Sequence, residues 1–358
     1  MLSLSIFTLS TNVPVIDVSS LRRGFESDAA RRCIAEIGAA CTDVGFFYVS
    51  NHGISEYLQM ALQAESKRFF ALPLAEKREI EMSRAGAAWR GYFGVGEELT
   101  SGVVDEKEGI YFAAELPPDS PLASLPLHGQ NQFPNENMRS FVLRYMEECK
   151  QLAELLLEAV AASLGLERHH FGEQFAEPTT LFRIFHYPPH DSANVGSFAV
   201  GEHSDYGYLT LLKQDDSGGL QIKADDGTWV DAPPVKNTFV VNLGDALEHN
   251  TGGLYRATAH RVLQRKGATK GRYSFPFFFD PSFGAKMESV AHLLPPERRA
   301  AAAERRAAAH ARWDDRDPTE FEGRYGEYLL RKVRKVFPHL ASRDAIDAAM
   351  REWDRSKS

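Results

Sequence analysis

Cysteine is scarce in this sequence of 358 residues. Cys33, Cys41 and Cys149 are the only three, and no two of them form a C-x-x-C pair. This pattern excludes a disulfide framework, and it lacks the paired thiols that structural zinc sites and thiol redox centres use. We therefore expect a protein of a reducing compartment and predict a cytoplasmic location.

Long apolar runs are also missing. No stretch comes near the roughly 18 to 20 uninterrupted apolar residues that a membrane-spanning helix needs. Residues 1–9 are mildly apolar, but they lack the basic residues and the longer apolar core of a secretory signal peptide. We therefore expect neither a membrane span nor a signal peptide.

A surplus of positive charge is absent too. The formal net charge is -8 at pH 7, and the isoelectric point is near 5.9. Because binding to nucleic acid or to an anionic membrane relies on neutralising phosphates, this balance argues against both kinds of partner. The arginine-rich stretch at residues 298–312 is interspersed with alanine and is predicted to be a solvated helix.

Apolar residues recur with two different periods along the chain. Helical spacing predicts helices at residues 28–42, 58–70, 137–164 and 320–337. A period of two predicts short strands at residues 13–18, 45–49, 182–188, 208–213, 220–223, 228–231, 238–243, 257–264 and 272–279. Many short strands at near-regular spacing are typical of an antiparallel sandwich or barrel.

The most informative stretch is an H-x-D pair, His203 and Asp205, which is followed later by His260 within T-A-H-R-V. Side chains two residues apart on a strand share a face, so an imidazole nitrogen and a carboxylate oxygen can reach one ion. Two histidines and one carboxylate on one side of a metal form the facial triad of non-haem Fe(II) oxygenases. The same ligands also suit zinc, and an isolated H-x-D is equally consistent with an ordinary polar pair.

A second polar pair, Arg272 and Ser274, follows His260 along the chain. Its i, i+2 spacing again places both side chains on one face of a predicted strand. Arginine presents a planar fork of donors that grips a carboxylate in bidentate fashion, and the serine hydroxyl adds a further donor. A triad followed by a carboxylate clamp favours an oxygenase over a zinc hydrolase, which has no evident use for the clamp.

The order of these motifs resembles that of the 2-oxoglutarate/Fe(II)-dependent dioxygenases of the isopenicillin N synthase-like family. The match includes H-x-D, H-R-V, and R-x-S followed by FPFFFDP, and the stretches VPVID and DVGFFYVSNHG are similar to that family's opening domain. The resemblance extends over residues 13–283. It implies a mixed α/β fold with a double-stranded β-helix, or jelly-roll, core flanked by helices.

The resemblance also implies a division of the chain. Residues 1–120 are expected to form an N-terminal cap of helices and strands, and residues 121–178 a connecting wrap and a long helix. Residues 179–285 are expected to form the catalytic jelly roll, and residues 286–358 C-terminal helices that pack on it.

Each site residue has a role within this resemblance. The chain is expected to be a dioxygenase that uses Fe(II), 2-oxoglutarate and O₂. The metal ligands, which are also the catalytic residues, are His203, Asp205 and His260. The residues that hold 2-oxoglutarate are Arg272 and Ser274, with Tyr187 of F-H-Y-P as a further donor. A wall aromatic without such a role is the alternative for Tyr187.

Residues 85–109 are rich in glycine, and the segment 89–98 contains three glycines among aromatic residues. A flexible surface connection is one interpretation. The resemblance favours a lid that becomes ordered over the metal when substrate binds, with Tyr92 and Phe93 in contact with the substrate.

The motifs around the triad most resemble the branch of the family that includes thymine 7-hydroxylases. That branch implies hydroxylation of a small, planar and polar molecule, nucleobase-like or an aromatic metabolite, with formation of succinate and CO₂. Tyr206 and Phe278 are then the aromatic residues expected near the substrate. The run FPFFFD is bulkier here than in that branch, so the substrate is expected to differ in detail.

Other functions are compatible with the same motifs. Isopenicillin N synthase itself keeps R-x-S but does not use 2-oxoglutarate, so an oxidative cyclase or desaturase is one alternative. A non-catalytic jelly roll that binds a ligand is another. In each case we expect a small-molecule ligand and a monomer or weak homo-oligomer.

Overall fold

The computed structural model describes residues 13–100, 103–117, 119–120, 122–123, 125–189, 198–263, 270–308, 323–336 and 351. The α-helices in this part of the chain are α1 (Asp28–Asp43), α2 (Glu56–Phe70), α3 (Leu74–Lys77), α4 (Glu136–Ser163), α5 (Asp245–Asn250), α6 (Pro296–Ala308) and α7 (Tyr325–Val336). Short 3-10 helices lie at Leu21–Arg23, Arg78–Ile80, Met82–Ala88 and Ala291–Leu293.

The strands of the same residues are mostly short. They are β1 (Val15–Asp17), β2 (Phe46–Ser50), β3 (Gly91–Phe93), β4 (Leu99–Thr100), β5 (Val103–Val104), β6 (Glu108–Ala113), β7 (Pro178–Tyr187), β8 (Phe198–His203), β9 (Leu209–Gln214), β10 (Leu220–Lys223), β11 (Trp229–Asp231), β12 (Thr238–Leu243), β13 (His260–Leu263) and β14 (Arg272–Ser282).

Two sheets make up the core. The larger sheet has the order β1-β2-β12-β9-β14-β7-β6-β3, and the smaller sheet has the order β11-β10-β13-β8. Neighbouring strands are antiparallel apart from β1 and β2. The two sheets form the jelly roll, and helices flank it, so the predicted fold class is confirmed.

The long helix α4 supplies much of the core that supports the larger sheet. The side chain of Asn135 caps its first turn by accepting a hydrogen bond of 2.8 Å from the backbone N–H of Met138. Further along, Tyr145 is completely buried, with its ring 5.1 Å from that of Phe182 on β7 and 6.4 Å from that of Phe239 on β12. The apolar face that helical spacing predicts is therefore the face that covers the sheet.

Residues 91–93, in the middle of the segment predicted to be a glycine-rich lid, form strand β3 of the larger sheet. β3 pairs with β6, and β6 pairs with β7. Tyr92 and Phe93 are buried on β3, and the Tyr92 hydroxyl donates to Glu108 at 2.6 Å. A Cβ atom on Gly109 would lie 2.6 Å from the Phe93 ring. Glycine is thus needed here for close packing between strands, a use that composition does not distinguish from flexibility.

The predicted N-terminal cap and the predicted catalytic core share one sheet. β2 pairs with β12, and β6 pairs with β7. The boundaries near residues 120, 178 and 285 stay predictions.

The arginine-rich stretch is helical through Ala308, and residues 309–312 lie outside the described part. Among the helices of the described residues, none has both the length and the apolar character that crossing a bilayer requires.

Candidate metal centre and its cavity

The three predicted metal ligands lie together at one end of the smaller sheet. His203 is the last residue of β8, and it stands opposite His260, the first residue of β13. Asp205 follows two residues after the end of β8. Its Oδ1 atom lies 3.9 Å from Nε2 of His203 and 3.8 Å from Nε2 of His260. One ligand atom from each residue can therefore reach a single ion, since all three lie within 4.8 Å of one another.

Backbone carbonyls orient both imidazole rings. Nδ1 of His203 lies 2.8 Å from the carbonyl oxygen of Gly201, and Nδ1 of His260 lies 3.2 Å from that of Thr258. A carbonyl oxygen can only accept a hydrogen bond, so Nδ1 of each ring carries a proton, and in the neutral ring the lone pair is on Nε2. This is the tautomer that a metal-binding histidine needs.

The carboxylate of Asp205 is oriented in the same way by two residues that the sequence analysis did not single out. Its Oδ2 atom accepts hydrogen bonds from Thr210 Oγ1 at 2.5 Å and from Asn242 Nδ2 at 2.7 Å. These bonds hold the side chain so that Oδ1 is the oxygen next to the two imidazoles. Asn242 lies in the strand predicted at residues 238–243, and that prediction was the signal available for it.

Burial and nearby charges set the protonation of the ligands. Burial raises the pKa of Asp205, but His260 and His203, with the hydrogen bonds from Thr210 and Asn242, outweigh it and hold this pKa below its ordinary value. Burial, and then the neighbouring His203, lowers the pKa of His260 to about 4. At neutral pH the centre thus offers an ionised carboxylate and a neutral imidazole, which are the forms that bind a divalent metal.

Arg272, Ser274 and Tyr187 form a second cluster beside the triad. Arg272 and Tyr187 stand opposite each other on β14 and β7, and the guanidinium carbon lies 4.7 Å from the centre of the Tyr187 ring. The Tyr187 hydroxyl is 3.4 Å from Ser274 Oγ. Nε of Arg272 donates to the carbonyl of Gly218 at 2.9 Å, whereas its Nη1 is buried without a hydrogen-bond partner. The cluster therefore keeps an unused donor that suits a ligand carboxylate.

Both clusters line one cavity of about 430 Å³. Alternation along β14 decides which residues reach it, because Arg272, Ser274 and Phe278 share one face of that strand and all line the cavity. Other lining residues come from residues 89–107 (Trp89, Glu98, Leu99, Thr100 and Lys107), from β7 (Leu181, Arg183, Phe185 and Tyr187) and from α7 (Leu329, Lys332, Lys335 and Val336).

The predicted substrate contacts divide into two pairs. Tyr206 and Phe278 line the cavity. Tyr92 and Phe93 are not among its lining residues in the described part of the chain, because both are packed within the larger sheet. Of residues 89–98, Trp89 and Glu98 line the cavity, and the ordering of this segment over a bound substrate stays a prediction.

A buried ion cluster forms part of the cavity wall and was not foreseen. Lys107 Nζ lies 2.8 Å from Glu98 Oε2 and also pairs with Asp105. Tyr111 donates to Glu98 from the other side, and Thr100 donates to Asp105 at 2.7 Å. These residues belong to a stretch that looks like a polar loop in sequence, so no periodic signal marked them.

The C-terminal helix α7 forms another part of the wall. Hydrogen bonds through Asp245 connect it to Ser204, which lies between the metal ligands His203 and Asp205. Asp245 accepts hydrogen bonds from Ser204 Oγ at 2.7 Å, Tyr328 hydroxyl at 2.9 Å and Lys332 Nζ at 3.1 Å. Its backbone N–H donates to the carbonyl of Asp205 at 2.8 Å. Since Ser204 stands between two metal ligands, α7 and the metal centre share one hydrogen-bond network.

Two family models match the chain. One is described as the non-haem dioxygenase in morphine synthesis N-terminal domain and matches residues 13–136. The other is described as the 2OG-Fe(II) oxygenase superfamily and matches residues 178–281. The second match contains the triad and the Arg272 cluster.

Similar proteins agree with these matches. A probable iron/ascorbate oxidoreductase of Dictyostelium discoideum is 41% identical over 92% of this chain and 95% of its own length. A 1-aminocyclopropane-1-carboxylate oxidase of Dictyostelium mucoroides is 35% identical over 91% of this chain and 95% of its own length. A full-length Neurospora crassa protein, solved in complex with alpha-KG and thymine, is similar in structure, with a TM-score of 0.71, 27% identity and coverage of 90% of this chain and 96% of that one. The small molecules named for these proteins differ.

Proposed function

This chain belongs to the 2OG-Fe(II) oxygenase superfamily, and we propose that within it the protein hydroxylates a small, planar and polar molecule, nucleobase-like or an aromatic metabolite. It is a 2-oxoglutarate-dependent dioxygenase, an oxidoreductase that uses Fe(II) and 2-oxoglutarate. The observation that supports the proposal is that Phe278 and Tyr206 line the same cavity as the triad.

Bound Fe(II), with 2-oxoglutarate and O₂, supplies the oxidising chemistry, which yields succinate and CO₂. His203, Asp205 and His260 would hold the metal through Nε2, Oδ1 and Nε2. The carbonyls behind the two rings and the two donors on Asp205 Oδ2 keep these atoms aimed at one point before any ion arrives. The residues present therefore fit the metal in atom type and in number.

Arg272 and Ser274 would bind the distal carboxylate of 2-oxoglutarate, with Tyr187 as a further donor. The unpartnered Nη1 of Arg272 supports this role, since a carboxylate would satisfy a donor that is otherwise buried at a cost. The Tyr187 ring lies against the guanidinium and limits its rotation. The clamp thereby positions the co-substrate toward the triad.

The rest of the cavity would orient the substrate and exclude water. A flat ring fits against Phe278 and Tyr206, and Leu329 with Val336 of α7 contribute apolar surface. Holding one C–H near the oxidising centre is the protein's main task in such chemistry. The thymine complex of the similar Neurospora crassa protein supports a substrate of this size and shape.

A second candidate is oxidative ring closure or desaturation at the same centre. The name of the similar 1-aminocyclopropane-1-carboxylate oxidase specifies an oxidation and not a hydroxylation, which is compatible with this candidate. Both candidates use the same triad, so identifying the product distinguishes them, whereas identifying the metal does not.

The cytoplasmic location and the monomeric or weakly associated state remain predictions.

The proposal is tested by following O₂ uptake, succinate and substrate together across nucleobases, aromatic acids and amino acids. We expect one class to raise succinate formation, with a product that gains one oxygen atom in proportion to the succinate formed. A product that loses two hydrogens without gaining oxygen would favour the second candidate. Succinate formation that no member of the panel accelerates would count against a small planar substrate. His260→Ala serves as the inactive control.

A further inference from the structure

Arg183 lies in the cavity wall and carries a charge that no residue of the described chain neutralises directly. It stands on β7, four residues before Tyr187 and on the same face of the strand. No carboxylate of the described residues forms an ion pair with it, and its Nε is buried without a hydrogen-bond partner. The nearby Glu98 is already engaged by Lys107 and Tyr111.

Aromatic rings fix the position of this guanidinium. Its central carbon lies 4.7 Å from the centre of the Trp89 ring, 4.2 Å from that of Tyr111 and 4.8 Å from that of Phe278. With rings around its faces, a cation can still interact with a ligand through the N–H groups in its plane. The donors of Arg183 are therefore held in place before any ligand binds.

The same features occur at Arg272. That residue also lines the cavity, has an aromatic ring against its guanidinium, lacks a carboxylate partner in the described chain and keeps one buried nitrogen unpartnered. Two lysines of the wall differ, since Lys107 pairs with Glu98 and Lys332 pairs with Asp245. The cavity thus contains two arginines of the kind that bind a carboxylate, and 2-oxoglutarate accounts for one of them.

We propose that the substrate of this oxygenase is a small organic acid whose carboxylate binds Arg183. The inference rests on the proposed function, because it assigns the substrate class of the same site. A cation in a largely enclosed wall is costly to leave unpaired, and a carboxylate matches the planar fork of arginine in shape and charge. Phe278 lies against Arg183 and lines the cavity, so an acid with a flat ring or unsaturated body can use both residues at once.

The size of the cavity limits this acid. About 430 Å³ must accommodate 2-oxoglutarate and the substrate together, so only a small molecule fits. A neutral planar molecule would offer Arg183 a hydrogen-bond acceptor but would leave its charge uncompensated. The inference therefore distinguishes acids from neutral molecules of the same shape.

The test compares matched acids and amides in binding rather than in turnover. Full-length protein with Fe(II) and saturating 2-oxoglutarate is titrated anaerobically with benzoate and benzamide, and with cinnamate and cinnamamide. We expect each acid to bind at least roughly tenfold more tightly than its amide, as a charge-assisted hydrogen bond would provide. Equal affinities within both pairs, or binding by neither member, would overturn the inference, and this comparison needs no variant.

Variants then assign the effect to a residue. Arg183→Gln should bring the affinity for the acid down to that for the amide, and Arg183→Lys should retain part of the difference. Both should leave the affinity for 2-oxoglutarate unchanged. Arg139→Gln, which removes a partly exposed arginine paired with Glu115, is the matched control. An acid preference that survives in Arg183→Gln would place the anion elsewhere and contradict the assignment.

The outcomes also separate this inference from the proposed function. If neutral nucleobases are hydroxylated and acids show no preference, the proposed function stands and the acid assignment fails. If acids bind through Arg183 but every product shows desaturation or ring closure, the acid assignment stands and the hydroxylase proposal fails.

Discussion

The metal end of the cavity and its outer wall are assembled in different ways. The triad and the Arg272 cluster lie on or beside β7, β8, β13 and β14, within the jelly roll. Three charged residues of the wall lie outside these strands: Glu98 and Lys107 belong to residues 89–107, and Lys332 belongs to α7. Residues of the first kind are related by strand spacing, whereas those of the second meet only when α7 and residues 89–107 pack onto the sheets.

The two parts also differ in how they hold their side chains. At the metal end, carbonyls, a hydroxyl and an amide orient the ligands through hydrogen bonds. For these three residues of the wall, buried ion pairs orient the side chains. The exposed fractions of the side chains are 1% and 4% for Lys107 and Glu98, and 8% and 4% for Lys332 and Asp245. Replacing one member of such a pair leaves the other charge buried without its partner. We therefore expect substitutions at the metal end to affect chemistry first, and substitutions in the wall to affect stability and substrate binding first.

The largest effect is expected from His203→Ala and His260→Ala. Each variant removes one of three ligand atoms, so turnover should fall below detection while the circular dichroism spectrum stays that of the folded protein. Anaerobic calorimetric titration with Fe(II) should show a matching loss of metal affinity. His169→Ala, at a histidine with 73% side-chain exposure, is the control. A folded variant that keeps its Fe(II) affinity would remove that histidine from the metal centre.

Arg272→Lys should weaken binding of 2-oxoglutarate roughly ten- to a hundredfold and lower kcat less. Lysine keeps the positive charge but loses the planar fork, and with it one charge-assisted hydrogen bond. Titration of the anaerobic Fe(II) protein with 2-oxoglutarate measures the change, and Arg183→Lys is the matched variant for which no change is expected. Equal losses in the two variants would mean that the two arginines do not have separate ligands.

Lys332→Met should destabilise the protein by about 3 kcal/mol. Loss of one member of a buried ion pair typically costs about 3 to 5 kcal/mol, and Ser204 and Tyr328 still donate to Asp245 in the variant. Urea unfolding measures the loss, with Lys286→Met at an exposed lysine as the control. In the variant that remains folded, KM for the primary substrate should rise while the affinity for 2-oxoglutarate stays constant. The opposite pattern would show that α7 serves the metal end rather than the wall.

Asp280→Asn should change how stability depends on pH, by about 2.7 kcal/mol between pH 5 and pH 8. Burial raises the pKa of Asp280 to about 7, although Tyr325 and the backbone N–H of Tyr208 donate to its carboxyl group. In the unfolded chain the Asp280 carboxyl group loses its proton near pH 4, the ordinary range for aspartate. In the folded protein it keeps that proton until about pH 7. This group destabilises the fold increasingly as the pH rises between those values.

Asparagine does not ionise, so the stability of Asp280→Asn relative to the unsubstituted protein should increase from pH 5 to pH 8. The expected size follows from about 1.36 kcal/mol per pKa unit over the roughly two units between pH 5 and the raised pKa. Urea unfolding at the two pH values gives the difference directly. A stability difference that is the same at both would mean that Asp280 is ionised throughout this range.

Much of the core was predictable because its information is local. The strands at residues 220–223 and 238–243 have the predicted bounds, since alternation is read directly from sequence. The triad was found because His203 and His260 both belong to regular strands and Asp205 follows His203 at the H-x-D spacing. Asp205 itself lies just beyond β8, so the spacing succeeded although the second residue is outside the strand.

The residues that sequence patterns do not mark are those whose role depends on packing. Arg183 shares a face of β7 with Tyr187, so alternation could have marked it, but nothing in the sequence shows that Trp89 and Tyr111 would cover it. Gly91 has a φ of 112°, and a Cβ atom there would lie 2.3 Å from the carbonyl oxygen of Ile80. A glycine required by such a contact looks the same in sequence as a glycine that gives a loop its freedom.

The hydrogen bonds that fix the two imidazole tautomers have a consequence for metal supply. The three ligand atoms already face one another without an ion. Metal binding therefore requires no conformational change that could select one divalent ion over another. Two nitrogens and one oxygen also bind cobalt, nickel and copper, and the general order of affinities places iron below all three. The occupant of the site is therefore decided by which ion is available, so protein produced in nickel- or copper-containing medium should carry the wrong metal until it is stripped and reloaded with Fe(II).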